Sequence, residues 1–267
     1  MTRFDRKFAA LRAASRKALV PFITAGDPAL EATVPVMHAL VTAGADAIEL
    51  GVPFSDPMAD GPTIQRSSER ALARGAGLGW VLGAVREFRR SDPDTPVSLM
   101  GYLNPIEVRG ADRFAREAAE AGVDGVLLVD LPPEESPGFR EAFAAHGVAL
   151  ILLASPTTTD ARLQLLLEHA QGYLYYVSLA GVTGASDRLD ARVAGEHLRR
   201  IRAASPVPVV AGFGIRDAAS AAAMAVDADG VVVGSALVSA MADAADPAEA
   251  AARAGAFLAP LRAALDA

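Results

Sequence analysis

Two carboxylates, Glu49 and Asp60, bracket the segment Glu49-Leu-Gly-Val-Pro-Phe-Ser-Asp-Pro-Met-Ala-Asp60. Glu49 follows the apolar pair Ala47-Ile48, at the point where a β-rich run ends. A glutamate in such a place is partly withdrawn from water, which disfavours its charged form and raises its pKa. A raised pKa suits a group that gives and takes protons near neutral pH. Asp60 lies in a stretch rich in Gly and Pro that can fold back and offer a second carboxylate. Position alone is equally compatible with a structural ion pair at Glu49, and at Asp60 it favours a turn role, since Asp is common in turns.

A second group of residues suits an anion. Val231-Val-Val-Gly-Ser-Ala-Leu-Val238 reads as a strand that ends in Gly234 and passes through Ser235 into a short helix. Free N–H groups and the helix dipole favour negative charge there. Ala211-Gly-Phe-Gly-Ile215 and Gly181-Val-Thr-Gly184 supply two further glycine turns. One such turn is ordinary chain reversal. Three in neighbouring loops point to a bound phosphate.

The remaining candidates are apolar or aromatic. Phe22, Met100 and Phe213 either line a pocket or belong to a core, and Trp80 reads as helix packing. Tyr173 and Tyr175 alternate with Leu174 and Tyr176, so one pair faces inward. Asp130 reads as a loop anchor. There is no cysteine, so disulfides, thiolate metal sites and a Cys nucleophile are excluded. The only lysines are Lys7 and Lys17, both before the first strand, which argues against a Schiff base. His38, His146, His169 and His197 are far apart, each in an expected helix, and no metal site is expected from them. No Walker motif and no dinucleotide fingerprint is present. Carboxylate acid–base chemistry on a phosphorylated substrate remains, either isomerisation or cleavage of a C–C bond whose electrons the substrate accepts. Composition and spacing leave both open.

The elements that must hold these residues alternate. Apolar runs are expected to form strands at residues 18–24, 46–50, 97–102, 125–130, 149–153, 173–178, 207–211 and 230–233. Helix-period segments fall between them, including residues 63–74, 80–90, 112–121, 134–145 and 160–170. One helix at 4–14 precedes the first strand, and one at 248–265 ends the chain. Asp27-Pro28 and Asp217 stand before helical pattern as N-caps do. Strands that are apolar throughout and alternate with helices form a parallel sheet covered on both faces. The expected class is α/β, a (β/α)8 TIM barrel with an extra N-terminal helix and additional helices in loops two and eight. Residues 1–267 form a single domain in this reading, and no linker is evident. In such a barrel the chemistry sits at the C-terminal ends of the strands, where Glu49 and the glycine turns fall.

The bulk numbers agree. The length of 267 residues fits the roughly 250 of a (β/α)8 barrel. The hydrophobic share of 52% supports a large core rather than disorder. The net charge of −7 has both signs dispersed and no basic block, so nucleic acid is not an expected partner. No apolar run approaches the ~20 residues of a membrane span. The first residues hold no apolar signal core, so no export and a cytoplasmic location are expected.

The motifs taken together resemble the tryptophan synthase α subunit family. The resemblance rests on Pro21-Phe-Ile-Thr-Ala-Gly-Asp-Pro28 and on the run from Glu49 to Asp60, continued as Gly-Pro-Thr-Ile-Gln65. Asp130-Leu-Pro-Pro-Glu-Glu135, Ser178-Leu-Ala-Gly-Val-Thr-Gly184, Gly212-Phe-Gly-Ile215 and Val233-Gly-Ser235 extend it to the last strand. The resemblance implies cleavage of indole-3-glycerol phosphate to indole and glyceraldehyde 3-phosphate. It implies that Glu49 protonates indole C3 and takes the glycerol hydroxyl proton, while Asp60 holds the indole N–H. It implies substrate contacts from Phe22, Ile64, Met100, Tyr175, Thr183 and Phe213, and phosphate contacts from Gly184, Gly214, Gly234 and Ser235. The indole ring is then the electron sink, and neither lysine nor metal is needed.

The resemblance further implies a β subunit as partner, in an α2β2 heterotetramer that receives the indole. Pyridoxal phosphate is expected on that partner and no cofactor on this chain. Residues 53–60 and 181–185 are the docking and gating loops it suggests. Two other readings remain: a stand-alone lyase that releases free indole, and a non-catalytic barrel that only activates a partner.

Overall fold

The computed structural model describes residues 1–177, 187–212 and 214–267, with the side chains of 187–194 outside that description. Among these residues eight strands close into a parallel barrel in sequence order. The strands are β1 (Ala18–Thr24), β2 (Ile48–Gly51), β3 (Val97–Gly101), β4 (Gly125–Leu128), β5 (Ala149–Ala154), β6 (Leu174–Val177), β7 (Val209–Gly212) and β8 (Gly230–Val233). The helices are α1 (Arg3–Ala13), α2 (Thr33–Thr42), α3 (Pro62–Ala73), α4 (Leu78–Phe88), α5 (Leu103–Arg109), α6 (Ala111–Ala121), α7 (Pro137–Ala145), α8 (Asp160–His169), α9 (Asp187–Ala204), α10 (Ala218–Ala225), α11 (Ser235–Met241) and α12 (Pro247–Leu265). The extra N-terminal helix is α1, and loops two and eight each hold a pair, α3 with α4 and α11 with α12. No described helix is long and apolar enough to cross a membrane.

Strand periodicity divides the apolar residues between two cores. In β1, Leu19 and Ile23 face the helices, whereas Val20 and Phe22 face the barrel interior. In β2, Ile48 and Leu50 face outward, so Glu49 between them points inward. Around β6, Leu174 and Tyr176 face outward, and Tyr173 and Tyr175 are the interior pair. Helix α1 closes the N-terminal end: Phe4, Phe8 and Leu11, spaced for one helical face, enter the interior core. Phe4 meets Tyr173 edge-on, with ring centroids 5.4 Å apart.

A polar device repeats at that same end. Just before three even-numbered strands, Asp46, Asp124 and Asp229 each accept a backbone N–H from the preceding odd strand. The donors are Leu19, Val97 and Val209, at 2.9, 2.8 and 2.9 Å. Gln171, before β6, does the same for Leu150 at 3.0 Å. Each aspartate also meets arginine: Asp46 with Arg262, Asp124 with Arg3 and Arg89, and Asp229 with Arg202. Parallel strands start with an unpaired N–H, and these carboxylates satisfy it.

Several expectations are corrected. Asp27 is not a helix cap: α2 begins at Thr33 after a 3-10 turn at Leu30–Ala32. Its carboxylate instead takes a bidentate pair from Arg70 of α3, at 2.7 and 2.8 Å. Asp217 does cap α10, in a reciprocal arrangement with Ser220. β4 ends at Leu128, and His146 caps α7 rather than lying inside it. Helix α5 was not expected, because seven residues with Pro105 in the first turn show little helical period. Asp130 compensates by accepting the Leu103 N–H at its start, 2.8 Å away, which is the anchoring role expected of it.

Candidate active site

Glu49 sits on β2 with Phe22 of β1 and Ser98 of β3 as its register partners. It is 0% exposed. The Tyr173 hydroxyl donates to its Oε1 at 3.1 Å, while the buried Oε2 has no hydrogen-bond partner. Burial pushes the carboxyl up to about 7, against the smaller downward pull of the Tyr173 bond. The desolvation expected from sequence is therefore present and more complete than a place at the barrel mouth requires.

Asp60 is held by the fold of loop two, the chain between β2 and β3. Its own N–H bonds the Pro57 carbonyl at 3.1 Å, and its carbonyl accepts from Gln65 Nε2 at 2.9 Å. The carboxyl lines a cleft with Phe22, Ile64, Met100, Tyr102 and Val129. Burial raises its pKa, opposed by a hydrogen bond with Tyr102. Tyr102 organises this wall: its oxygen accepts the Ala59 N–H at 3.0 Å and its ring stacks on Phe54 at 5.0 Å. Thr24 and Ser67 join β1 to α3 through a 2.7 Å hydroxyl pair. The cleft is narrow, with about 10 Å³ of free space, so a two-ring aromatic enters only if a wall moves.

Tyr175 lies close enough to both carboxylates for their charge, with burial as the larger cause, to hold its hydroxyl well above the ordinary phenol range. Gly212 makes room for it: a Cβ there would stand 2.1 Å from the Tyr175 oxygen. Gly51 likewise accommodates Phe22, whose Cζ would be 2.6 Å from an added Cβ.

Gly214 and Gly234 follow the paired strands β7 and β8. Gly214 is exposed with φ +77, a conformation glycine adopts without strain. Gly234 is the N-cap of α11 and borders the cleft, since its Cβ position is 3.4 Å from the Phe22 ring. Ser235 begins α11 and is exposed. Thr183, Gly184 and Phe213, and the whole of 181–185, lie outside the described residues.

The structure thus gathers Phe22, Asp60, Ile64 and Met100 around one cleft, with Glu49 and Tyr175 in the adjoining interior. A larger cavity of about 780 Å³ opens between the ends of β4 and β5 and helix α8, and none of the expected site residues lines it. Lys17 lies at the opposite end, bonded to the Ala228 carbonyl at 2.6 Å. Among the described residues no acid–histidine group could hold a metal ion. Tyr102 and Ser98 were missed as site residues. Tyr102 was legible only as a strand-end residue, and Ser98 only as sharing a strand face with Met100.

Comparison with known proteins gives the chain a family and a shared fold. The family described as tryptophan synthase alpha chain matches residues 8–265. A tryptophan synthase alpha chain of Xanthomonas euvesicatoria is 72% identical over 100% of this chain and 99% of its own length. One from Xanthomonas oryzae is 71% identical with the same coverage. The crystal structure of tryptophan synthase subunit alpha from Legionella pneumophila superposes with a TM-score of 0.91 at 48% identity, covering 100% of this chain and 99% of that one. A chain of Mycobacterium tuberculosis tryptophan synthase gives 0.88 at 38% identity, covering 100% and 99%.

Proposed function

The chain belongs to the tryptophan synthase alpha chain family, and from that premise we propose that Glu49 and Asp60 carry its reaction. The reaction is the retro-aldol cleavage of indole-3-glycerol phosphate to indole and glyceraldehyde 3-phosphate. The indole passes to a β subunit, in an α2β2 complex whose pyridoxal phosphate belongs to the β chain; the α chain uses no cofactor. The observation that carries the residue assignment is Glu49 itself, a fully buried carboxyl with an unpartnered oxygen, poised at about 7.

Protonated Glu49 delivers its proton to indole C3 while Asp60 accepts the hydrogen bond of the ring N–H and steadies the positive charge. The resulting carboxylate then takes the proton of the glycerol hydroxyl next to the ring. That oxygen forms the aldehyde, the C–C bond breaks, and its electron pair returns to the ring. Glu49 ends protonated, as it began. A carboxyl poised near neutrality serves both directions, whereas an ordinary glutamate would be a poor acid at pH 7. Phe22, Ile64 and Met100 supply apolar walls for the ring, and Tyr175 faces the glycerol portion. Gly214, Gly234 and Ser235 offer N–H and hydroxyl donors to the phosphate. Thr183, Gly184 and Phe213 belong to the same assignment. Residues 53–60 are the surface we assign to the partner, residues 1–267 a single domain, and the cytoplasm its location.

The test is indole release from indole-3-glycerol phosphate, with and without a β subunit. Asp60→Asn is expected to lose most activity in both arms. An unchanged rate would return Asp60 to a turn residue. Strong activation on mixing supports the synthase assignment, and full activity of the chain alone would favour a stand-alone lyase.

A further inference from the structure

Behind Glu49, away from the cleft, two hydroxyls continue inward. Ser98 Oγ lies 3.2 Å from the Tyr173 hydroxyl and 3.4 Å from the Ile48 carbonyl. Ser98, Tyr173 and Glu49 are all 0% exposed. We propose that Ser98 is a positioning residue for the reaction: with Tyr173 it forms a hydrogen-bond chain whose direction reverses as Glu49 gives up or regains its proton. The proposal rests on the reading of Glu49 as the group that gives and takes that proton.

The argument is a count of protons. Each hydroxyl has one to donate. When Glu49 is a carboxylate it can only accept, so Tyr173 donates to Oε1 and Ser98 donates to the Tyr173 oxygen. When Glu49 is protonated, its O–H turns to the Tyr173 oxygen. Tyr173 then donates to Ser98 Oγ, and Ser98 donates to the Ile48 carbonyl. The one proton that Glu49 gives up or regains is exchanged with the substrate; behind it, the O–H bonds of Tyr173 and Ser98 only reorient. In both states between which the reaction alternates, Oε1 of Glu49 and the two hydroxyls behind it find partners in an interior where an unmet polar group is costly.

The surroundings leave this task to the two hydroxyls. Among the described residues, the charge of Glu49 acts on Tyr173, just before β6, and on Tyr175 within it. Around the barrel, Phe22, Leu127, Ile151, Val210 and Val232 supply apolar neighbours from β1, β4, β5, β7 and β8. From α1, Phe4 and Phe8 pack on the Tyr173 ring and hold its hydroxyl in place. Asp60 acts on Tyr175 instead.

Removing Ser98 harms the two states unequally. With Glu49 ionised, Tyr173 still has its acceptor. With Glu49 protonated, one of two protons facing each other has no acceptor. Ser98→Ala is therefore expected to favour the carboxylate and lower the titration midpoint by about one pH unit, the size of one orphaned donor. Tyr173→Phe removes the bond that favours the carboxylate and is expected to raise the midpoint. Ser98→Thr keeps the hydroxyl and should retain the wild-type midpoint.

The experiment reads log kcat for indole release against pH, and the infrared band of the protonated Glu49 carboxyl, identified as the band lost in Glu49→Gln. Opposite shifts for Ser98→Ala and Tyr173→Phe, with rescue by Ser98→Thr, support the chain. An unmoved midpoint in Ser98→Ala overturns it. If the band shifts as described while Glu49→Gln still releases indole, the hydrogen-bond chain stands and the catalytic reading of Glu49 falls.

Discussion

Asp46, Asp124 and Asp229 at the N-terminal end of the barrel each accept a strand N–H and each face an arginine. At the C-terminal end, neither Glu49 nor Asp60 has an ion-pair partner among the described residues, and one oxygen of Glu49 has no hydrogen bond at all. The same chemical group is used to opposite purpose. Paired carboxylates lock strand starts. An unpaired, desolvated one sits near its midpoint and exchanges a proton readily. In the proposed reading, stability and chemistry are carried by different ends of the barrel.

The comparison predicts separable effects. The largest is on rate: Glu49→Gln should lower indole release by about 10²–10⁴-fold, with the fold intact by circular dichroism. A near wild-type rate would remove Glu49 from the chemistry. Next is Asp124→Ala, which leaves the Arg89 charge without its carboxylate and the Val97 N–H without its acceptor in a buried place. A loss of about 3–5 kcal/mol in denaturant unfolding is expected, with kcat of the folded enzyme unchanged. A changed kcat with unchanged stability would reverse the division of labour between the two ends.

The third prediction concerns pH. Glu49 has its folded pKa raised to about 7 from the ordinary glutamate value of 4.5. Between those values the folded state holds a proton that the unfolded state has released, so raising the pH through that window destabilises the fold. The contribution is about 3 kcal/mol, fully lost above pH 7 and regained below about pH 5. Glu49→Gln removes this slope, so the variant should be more stable than the wild type at pH 8 and similar to it at pH 4.5. Equal stability curves would show that the carboxyl is not held at a cost.

The smallest effect is expected from Gly212→Ala. Its Cβ would fall 2.1 Å from the Tyr175 oxygen, and Tyr175 must shift. Overpacking of this kind costs about 1–3 kcal/mol and should weaken kcat/KM as Tyr175 leaves its place. Retained kcat/KM would show that Tyr175 only fills space.

Much of this was legible in the residues. The eight strands and their helices follow from apolar runs and helical period, and the ends agree within a few positions. The segment from Glu49 to Asp60 stood out as a candidate site before any fold was drawn, because with both lysines ahead of the first strand, no cysteine and no clustered histidine, few other groups are left for the chemistry. Helix α5 was not legible, since its start depends on Asp130, a partner 27 residues away. Asp27 was misread as a cap because its actual partner, Arg70, lies on a distant helix.

The sequence by itself determined the order of elements, the acid–base class of chemistry and the pair of carboxylates that could perform it. Alternation along β6 showed that Tyr173 and Tyr175 share a face, but not which face, because period two is symmetric about the sheet. Closing the barrel decided that they point inward, and brought Tyr173 to Glu49 across 124 positions of chain. The same closure placed Ser98 behind them and spent Asp46, Asp124 and Asp229 on arginines. Local pattern encodes spacing along the chain, whereas a carboxyl's pKa depends on what surrounds it in space, and only the tertiary fold fixes that.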